Sequence, residues 1–250
     1  MSIFEINRTN IAPVPKNKNP QRMTDFRPIN LCNVVYKLIS KTLANRLKTI
    51  LPYIISENQS AFVANRLITD NILVAYEIMH YLKHKRGGND SFMAAKLDMS
   101  KAFDRVEWSF IEGVMGKMGF NESWISLVMK CITSVTYSVI INGSVHGSIV
   151  PTRGLRQGDP LSPYLFLFCV EGFSALINEV ARCQQLNGIS ICRGASKINH
   201  LFFADDSLLF CNANGTECNK LKEILRAYVF ALGQKINIDK SSIFFSPNTS

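Results

Sequence analysis

Leu201-Phe202-Phe203-Ala204-Asp205-Asp206-Ser207-Leu208-Leu209-Phe210 decides how this chain is read. Apolar residues on both sides give the pattern of two buried strands. The Asp pair falls where a tight hairpin turn would join them, because Asp tolerates turn backbone and strands disfavour it. Two like charges are thereby held at the edge of a sheet. Neighbouring carboxylates repel and desolvation penalises both, so the pair calls for a divalent metal that takes oxygen ligands. An ordinary exposed Asp-Asp turn has the same local sequence, and the rest of the chain must decide between them.

A second carboxylate lies about a hundred residues upstream, in Phe92-Met93-Ala94-Ala95-Lys96-Leu97-Asp98-Met99-Ser100-Lys101-Ala102-Phe103-Asp104-Arg105-Val106. An apolar strand ends at Asp98. From Glu107 a helix begins, with Trp108, Ile111, Val114, Met115 and Met118 on one face. If the two strands are sheet neighbours, Asp98 and Asp205 can share a pair of divalent ions about 3.5–4 Å apart, which aligns an attacking and a leaving oxygen on phosphorus. Phosphoryl transfer needs mainly positioning and charge neutralisation, so no protein nucleophile is required.

The remaining pattern predicts an α+β chain: an antiparallel sheet with helices on one face in a split β-α-β arrangement. Residues 1–25, with Pro13, Pro15 and Pro20 among Lys and Asn, read as an extended basic arm. A helix from about Asn33 to Ile50 turns Val35, Leu38, Ile39, Thr42 and Leu43 inward and is closed by Pro52. Another, from about Asp70 to Lys85, carries Ile72, Leu73, Tyr76 and Met79 on one side. Helices near 107–118 and 122–133 precede an alternating strand (Val135, Tyr137, Val139, Ile141) and the hairpin signal Asn142-Gly143. A long helix entered at Pro160 and Pro163 runs to about Arg182. A last helix, Thr216 to Leu232, ends at Gly233, before strands near Lys235–Ile238 and Ser242–Phe245.

Composition narrows the function classes. The chain has 250 residues and 47% hydrophobic content, enough to bury a sizeable core. Its formal charge is +9, and residues 1–50 hold nine Lys or Arg against two Asp or Glu, a local +7 that suits a polyanionic partner. Seven cysteines are scattered without a Cys-x-x-Cys pair, which argues for reduced thiols in an intracellular protein. His80 and His84, four apart on a helix, lack a third ligand nearby and read as exposed helix residues. The N-terminus lacks a secretory signal, and the best apolar run, Tyr164 to Val170, is too short to span a bilayer. A soluble, intracellular protein is expected.

Lys96-Leu97-Asp98-Met99-Ser100-Lys101-Ala102-Phe103-Asp104-Arg105-Val106, then Gly154-Leu155-Arg156-Gln157-Gly158-Asp159-Pro160-Leu161-Ser162-Pro163-Tyr164-Leu165-Phe166, then Phe203-Ala204-Asp205-Asp206 resemble motifs A, B and C of reverse transcriptases, in that order and spacing. The resemblance is to the LINE-type (non-LTR retrotransposon) group, particularly its plant members. Phe26-Arg27-Pro28-Ile29-Asn30-Leu31 and Glu57-Asn58-Gln59-Ser60-Ala61-Phe62-Val63-Ala64-Asn65-Arg66 are similar to the fingers motifs, and Gly233-Gln234-Lys235-Ile236-Asn237-Ile238-Asp239-Lys240-Ser241 to motif D.

This resemblance implies a right-hand polymerase, with fingers over residues 26–90 and a palm over 91–250, and an RNA-directed DNA polymerase activity. It implies two Mg²⁺, with Mn²⁺ as the alternative ion, held by Asp98 and Asp205 with Asp206 auxiliary. Phe103 would lie beneath the incoming sugar and exclude a 2′-OH, and a buried core aromatic is the competing account of it. Gln157 and Gly158 would approach nucleotide and template closely, Gly because a side chain would obstruct. Lys240 would protonate the leaving pyrophosphate, unless it is a solvated surface charge. Arg27 and Lys37 would contact the triphosphate, and Arg66 and Arg156 the template. The implied partners are an RNA template, a DNA primer and a deoxynucleoside triphosphate. No sequence for a thumb, an endonuclease or an RNase H domain is recognised, so weak, distributive synthesis is expected. A catalytically inactive, truncated, retrotransposon-derived nucleic-acid-binding fragment is the alternative. A metal-dependent phosphatase or nuclease would leave the motif B and fingers blocks unexplained.

Overall fold

The structure is a computed structural model that describes residues 3–192 and 194–249. In chain order its elements are α1 (Ile3–Ile6), β1 (Arg8–Pro15), β2 (Phe26–Cys32), α2 (Val34–Lys48), α3 (Leu51–Ile54), α4 (Ile68–His84), β3 (Phe92–Leu97) and α5 (Trp108–Lys117). Then come α6 (Glu122–Thr133), β4 (Thr136–Ile141), β5 (Ser144–Ile149), α7 (Ser162–Arg182), β6 (His200–Phe203), β7 (Asp206–Asn212), α8 (Gly215–Leu232) and β8 (Ser242–Phe245). These form two compact units: residues 1–50 with 103–166, and residues 51–102 with 167–250.

The first unit holds a four-stranded sheet ordered β2-β1-β4-β5. The extended arm expected over residues 1–25 is built in part into this sheet through β1, although residues 1 and 2 lie outside the described residues. β1 pairs antiparallel with β2 along its length and parallel with β4 from Arg8 to Ile11. Pro13 and Pro15 fall beyond Ile11, where β1 has a strand on one side alone and a missing N–H is tolerated. Asn142 and Gly143, with φ of +50° and +81°, turn β4 into β5 as their sequence predicts.

Helix α2 is capped by Asn33, whose side chain accepts the Val35 N–H at 2.9 Å. Its inner face differs from the one periodicity predicts. Tyr36, Ser40, Leu43, Ala44 and Leu47 are buried, while Val35 and Leu38 are exposed. The Tyr36 hydroxyl, which bonds Asp159 at 2.7 Å, fixes this rotation, and an apolar count cannot register such a contact. Helix α5 follows its pattern, with Ile111 and Met115 buried, and α6 forms where expected and buries Ile125, Val128, Cys131 and Ile132.

The second unit holds an antiparallel sheet ordered β6-β7-β3-β8. Strand alternation sends Phe92 and Ala94 of β3, Phe210 of β7 and Leu201 of β6 to one face, where they form a core with Ile78 and Leu82 of α4. On the other face Phe202 stacks on Phe173 of α7 at 5.4 Å, and Phe173 on Tyr228 of α8 at 4.4 Å. Helices therefore back the sheet, and α4 covers part of its front. Helix α4 turns inward through Ile78 and Leu82, with Met79 of the expected apolar side packed against the same core, while Ile72, Leu73 and Tyr76 are exposed. Helix α7 is long and apolar enough to cross a membrane by length and composition, unlike the short run expected. Its Leu167, Phe168, Cys169, Phe173 and Ile177 are buried within the protein, as in a core helix.

Candidate active site

In the second unit the sheet brings three carboxylates to one end. Leu97 pairs with Ser207 across β3 and β7, and extending that register by one residue sets Asp98 opposite Asp206. Phe203 pairs with Asp206 across β6 and β7, leaving Ala204 and Asp205 as the two turn residues. Ala204 has φ of +53°, a conformation that a residue with a Cβ seldom adopts. Asp98 is half-buried, and Asp205 and Asp206 retain exposed surface. The pKa of Asp205 is raised, chiefly because surrounding protein displaces water from its carboxylate, and further by the charges of Asp206 and Asp98. Its exposed surface keeps that shift screened by solvent. Asp206 and Asp98 thus both act on Asp205. Among the described residues no group of three His, Cys, Asp or Glu side chains is already gathered to hold a metal ion. The donor set is all carboxylate oxygen, as Mg²⁺ and Mn²⁺ prefer.

The backbone of Asp98 is gripped from residues 234–241. Its N–H donates to Ser241 Oγ at 3.1 Å and its carbonyl accepts the Asn237 N–H at 2.9 Å. Ser100 N–H reaches the Lys235 carbonyl at 2.7 Å, and Gln234 Nε2 the Ala102 carbonyl at 2.7 Å. The strand expected at Lys235–Ile238 is reduced to one bridge, Met99 to Ile236, followed by a 3-10 turn over Ile238–Lys240. Those side-chain and loop contacts take over the pairing. Lys240 is exposed on this turn, between the two residues that hold Asp98. Asn237 and Ser241 went unassigned from sequence; their place beside Lys240 in the motif D block was the available signal.

The other end of the site is braced by residues 58–60, which run parallel to β6. Phe202 N–H donates to the Asn58 carbonyl at 2.7 Å, and Asn71 Nδ2 to the Phe202 carbonyl at 2.9 Å. Arg66, expected on the template, is committed here: its guanidinium binds the carbonyls of Ser56 and Gln59, of Ile55 at 2.7 Å, and of Pro52 at 3.5 Å. A chain reversal with several inward carbonyls needs such a donor fork. Beside Asp206 a cleft of about 370 Å³ is lined by Ile68, Ile72 and Ala75 of α4 and by Lys96, Phe203 and Leu208 of the sheet.

The first unit carries the other candidates. Arg156, also expected on the template, is instead 3% exposed. It pairs with Asp159 at 2.9 Å, lies 3.9 Å over the Tyr36 ring, and donates to Asn7 Oδ1 and to the Cys131 carbonyl at 3.0 Å. A buried guanidinium requires such a set of acceptors, so it is structural. Tyr36 titrates far above its ordinary range because burial and the Asp159 charge both oppose a phenolate. Gln157 is half-buried and its carbonyl accepts both Asn30 N and Asn30 Nδ2 at 3.1 Å. Gly158 has φ of +100°, and a Cβ there would stand 3.3 Å from the Asn30 carbonyl oxygen. Gly154 is stricter: at φ +95° its Cβ would meet Asp104 O at 2.8 Å. Phe103 is half-buried and stacks on Phe166 at 4.6 Å. Arg27 and Lys37 are exposed on β2 and α2.

The model of the family described as reverse transcriptase (RNA-dependent DNA polymerase) matches residues 14–249. The chain is similar to the transposon TX1 uncharacterized 149 kDa protein of Xenopus laevis, 28% identical over 94% of this chain and 17% of that protein. It is also similar to the retrovirus-related Pol polyprotein of a type-1 retrotransposable element R2 from Popillia japonica, 28% identical over 78% of this chain and 26% of the polyprotein. The chain therefore spans about a quarter or less of those relatives. Among solved structures, Candida tropicalis telomerase in complex with a fragment of telomeric RNA covers 98% of this chain, with a TM-score of 0.66, 14% identity and 42% of its own length matched. That likeness shows the polymerase fingers and palm fold. With nearly its whole length matched by the family and with these transposon and retrotransposon relatives, this chain belongs to the reverse transcriptase family, in the LINE-type (non-LTR) group.

Proposed function

We propose that this chain is the catalytic core of an RNA-directed DNA polymerase that adds deoxynucleotides to a primer 3′-OH. The observation that carries the reading is the convergence of Asp98, Asp205 and Asp206 at one sheet end, with the pKa of Asp205 raised partly by the other two. A retained like-charge cluster destabilises a fold and is explained by a cation that it serves. Reverse transcriptases use divalent metal ions. Asp98 and Asp205, with Asp206 auxiliary, would hold two Mg²⁺ or Mn²⁺, which when bound polarise the α-phosphoryl group and acidify the primer hydroxyl.

The chain's own residues supply position and protons. The Asn237 and Ser241 contacts hold the backbone of Asp98, which would limit the directions its carboxylate can take when substrate arrives. Lys240 would give a proton to the departing pyrophosphate as the bond to the α-phosphorus breaks. In the first unit, the exposed cations Arg27 and Lys37 are assigned the triphosphate. Phe103, braced by Phe166, is assigned the sugar, and Gln157 and Gly158 the nucleotide and template. No nucleic-acid contact is given to Arg66 or Arg156, because their guanidinium groups are spent on protein acceptors. The template is proposed to be RNA and the primer DNA, held through the excess of basic residues, so affinity should fall steeply with salt.

Primer extension on an RNA template, with Mg²⁺ or Mn²⁺ at low salt, tests the reading. Extension by the native chain and none by Asp205→Asn is expected. Equal extension by both would overturn the assignment, and no extension by a folded native chain would favour the binding-only alternative.

A further inference from the structure

We propose that Gln59 is a positioning residue whose side-chain oxygen holds the Ala204–Asp205 turn in the shape that presents Asp205 to a divalent ion. The inference rests on the metal reading above. Gln59 is 1% exposed and lies alongside Phe202 in the parallel bridge to β6. Its Oε1 accepts two backbone N–H groups, that of Ala61 at 2.8 Å and that of Ala204 at 3.3 Å. Two converging donors settle which end of the amide is oxygen, since the reversed amide would aim its own N–H₂ at both.

The turn needs this bond. Phe203 and Asp206 form the last pair of the hairpin, so the ladder offers Ala204 N–H no acceptor there. Ala204 holds φ of +53° despite its Cβ, a conformation that persists when its surroundings impose it. The next residue is Asp205, which Asp206 and Asp98 repel. A free turn would relax away from that repulsion, and the bond from Ala204 opposes the movement one residue from the carboxylate. Gln59 is itself immobilised: the Arg66 guanidinium binds its carbonyl at 2.7 Å and also ties down Ile55 and Ser56. Its Nε2 is buried without a partner among the described residues, so the residue is held in place for its oxygen rather than its nitrogen.

The test uses the full chain with Mn²⁺ alone, titrated by electron paramagnetic resonance, together with hydrogen exchange at the Ala204 amide. Gln59→Met fills the space but lacks the acceptor. It should weaken Mn²⁺ binding roughly 10-fold, the size typical of groups that orient metal ligands, and deprotect the Ala204 amide, with the circular dichroism spectrum unchanged. Gln59→Glu keeps an acceptor oxygen and should restore protection of the Ala204 amide. Should Gln59→Met not fold, Gln59→Asn, whose oxygen is withdrawn by one methylene, decides in the same way. Native Mn²⁺ affinity and native Ala204 protection in the folded acceptor-free variant would overturn the proposal, as would failure of Gln59→Glu to restore that protection. Asp205→Asn separates the two readings. If it leaves Mn²⁺ binding intact, the metal assignment and the metal part of this proposal fall together. Exchange at Ala204 then still decides whether Gln59 holds the turn.

Discussion

The Arg156–Asp159 cluster of the first unit and the Asp98–Asp205–Asp206 cluster of the second are both built from charge, and they are built in opposite ways. Around Arg156 each charge meets its complement: Asp159 takes the guanidinium, the Tyr36 hydroxyl at 2.7 Å and the Leu161 N–H at 3.0 Å. Around Asp205 like faces like, and burial and repulsion both raise its pKa. A buried charge with its donors and acceptors matched locks a loop in one shape. A carboxylate left facing its own kind stores a demand that a cation or a proton can meet. Both arise within motif blocks that sequence alone would treat as equally functional.

The largest expected effect tests the second cluster. Asp98→Asn and Asp205→Asn should each lower nucleotide addition by about 10³-fold or more, because an anionic metal ligand is lost. Asp206→Asn should be milder, and RNA affinity should stay close to native in all three. Retention of a tenth of native rate by Asp205→Asn, in a steady-state extension assay, would break the contrast.

Arg156→Met probes the first cluster. Removing one partner strands the Asp159 charge, so urea unfolding should lose about 3–5 kcal/mol. Arg156→Met combined with Asp159→Leu should recover much of that, since a buried pair replaced by apolar groups is often neutral. A single variant as stable as native would mean that the hub is decorative.

A smaller effect concerns a buried group that stays uncharged. His200 is inaccessible and hydrogen-bonds Ser174 at 2.8 Å, and burial pushes its pKa down from 6.5 to about 4. The unfolded chain takes up this proton first. Stability is therefore intact above about pH 6.5 and is lost as pH falls toward 4, by roughly 2–3 kcal/mol. His200→Gln should flatten that slope in denaturant titrations at successive pH values.

The smallest effect has the opposite sign. The raised pKa of Asp205 is a penalty absent below its unfolded pKa and fully present above its folded one. Without divalent ions near neutral pH, Asp205→Asn should raise the melting temperature by a small amount, because solvent screens the penalty. Saturating Mn²⁺ should abolish or reverse the difference. A melting temperature lowered by the substitution would show that the carboxylate is satisfied without metal.

Much of this was legible in the chain. The residues around Asp98 and Asp205 announce their strands and turn, because an apolar run broken by a carboxylate has few structural meanings. Helices α5, α6 and α8 read correctly because each has one apolar stripe. Helices α2 and α4 did not, because each carries two. In α4, Ile72-Leu73-Tyr76 and Ile78-Leu82 are both plausible inner faces, and the sheet packs on the second. Burial of Arg156 was hidden because its partners Asn7 and Tyr36 lie more than a hundred residues away, and an Arg among Gly and Gln resembles a surface contact. The loop contacts of Asn237 and Ser241 depend on a backbone path that no periodicity encodes.

Strand β8 has a further consequence for anyone handling the chain. It is the outer strand of its sheet, paired to β3 on one side, with Ile243, Phe244 and Phe245 all open to solvent. An apolar edge strand whose second side pairs with no strand among the described residues templates strand addition from another molecule. Colloidal behaviour should therefore depend on this edge more than on the +9 charge, and Ile243→Lys should delay the onset of light scattering in concentrated samples.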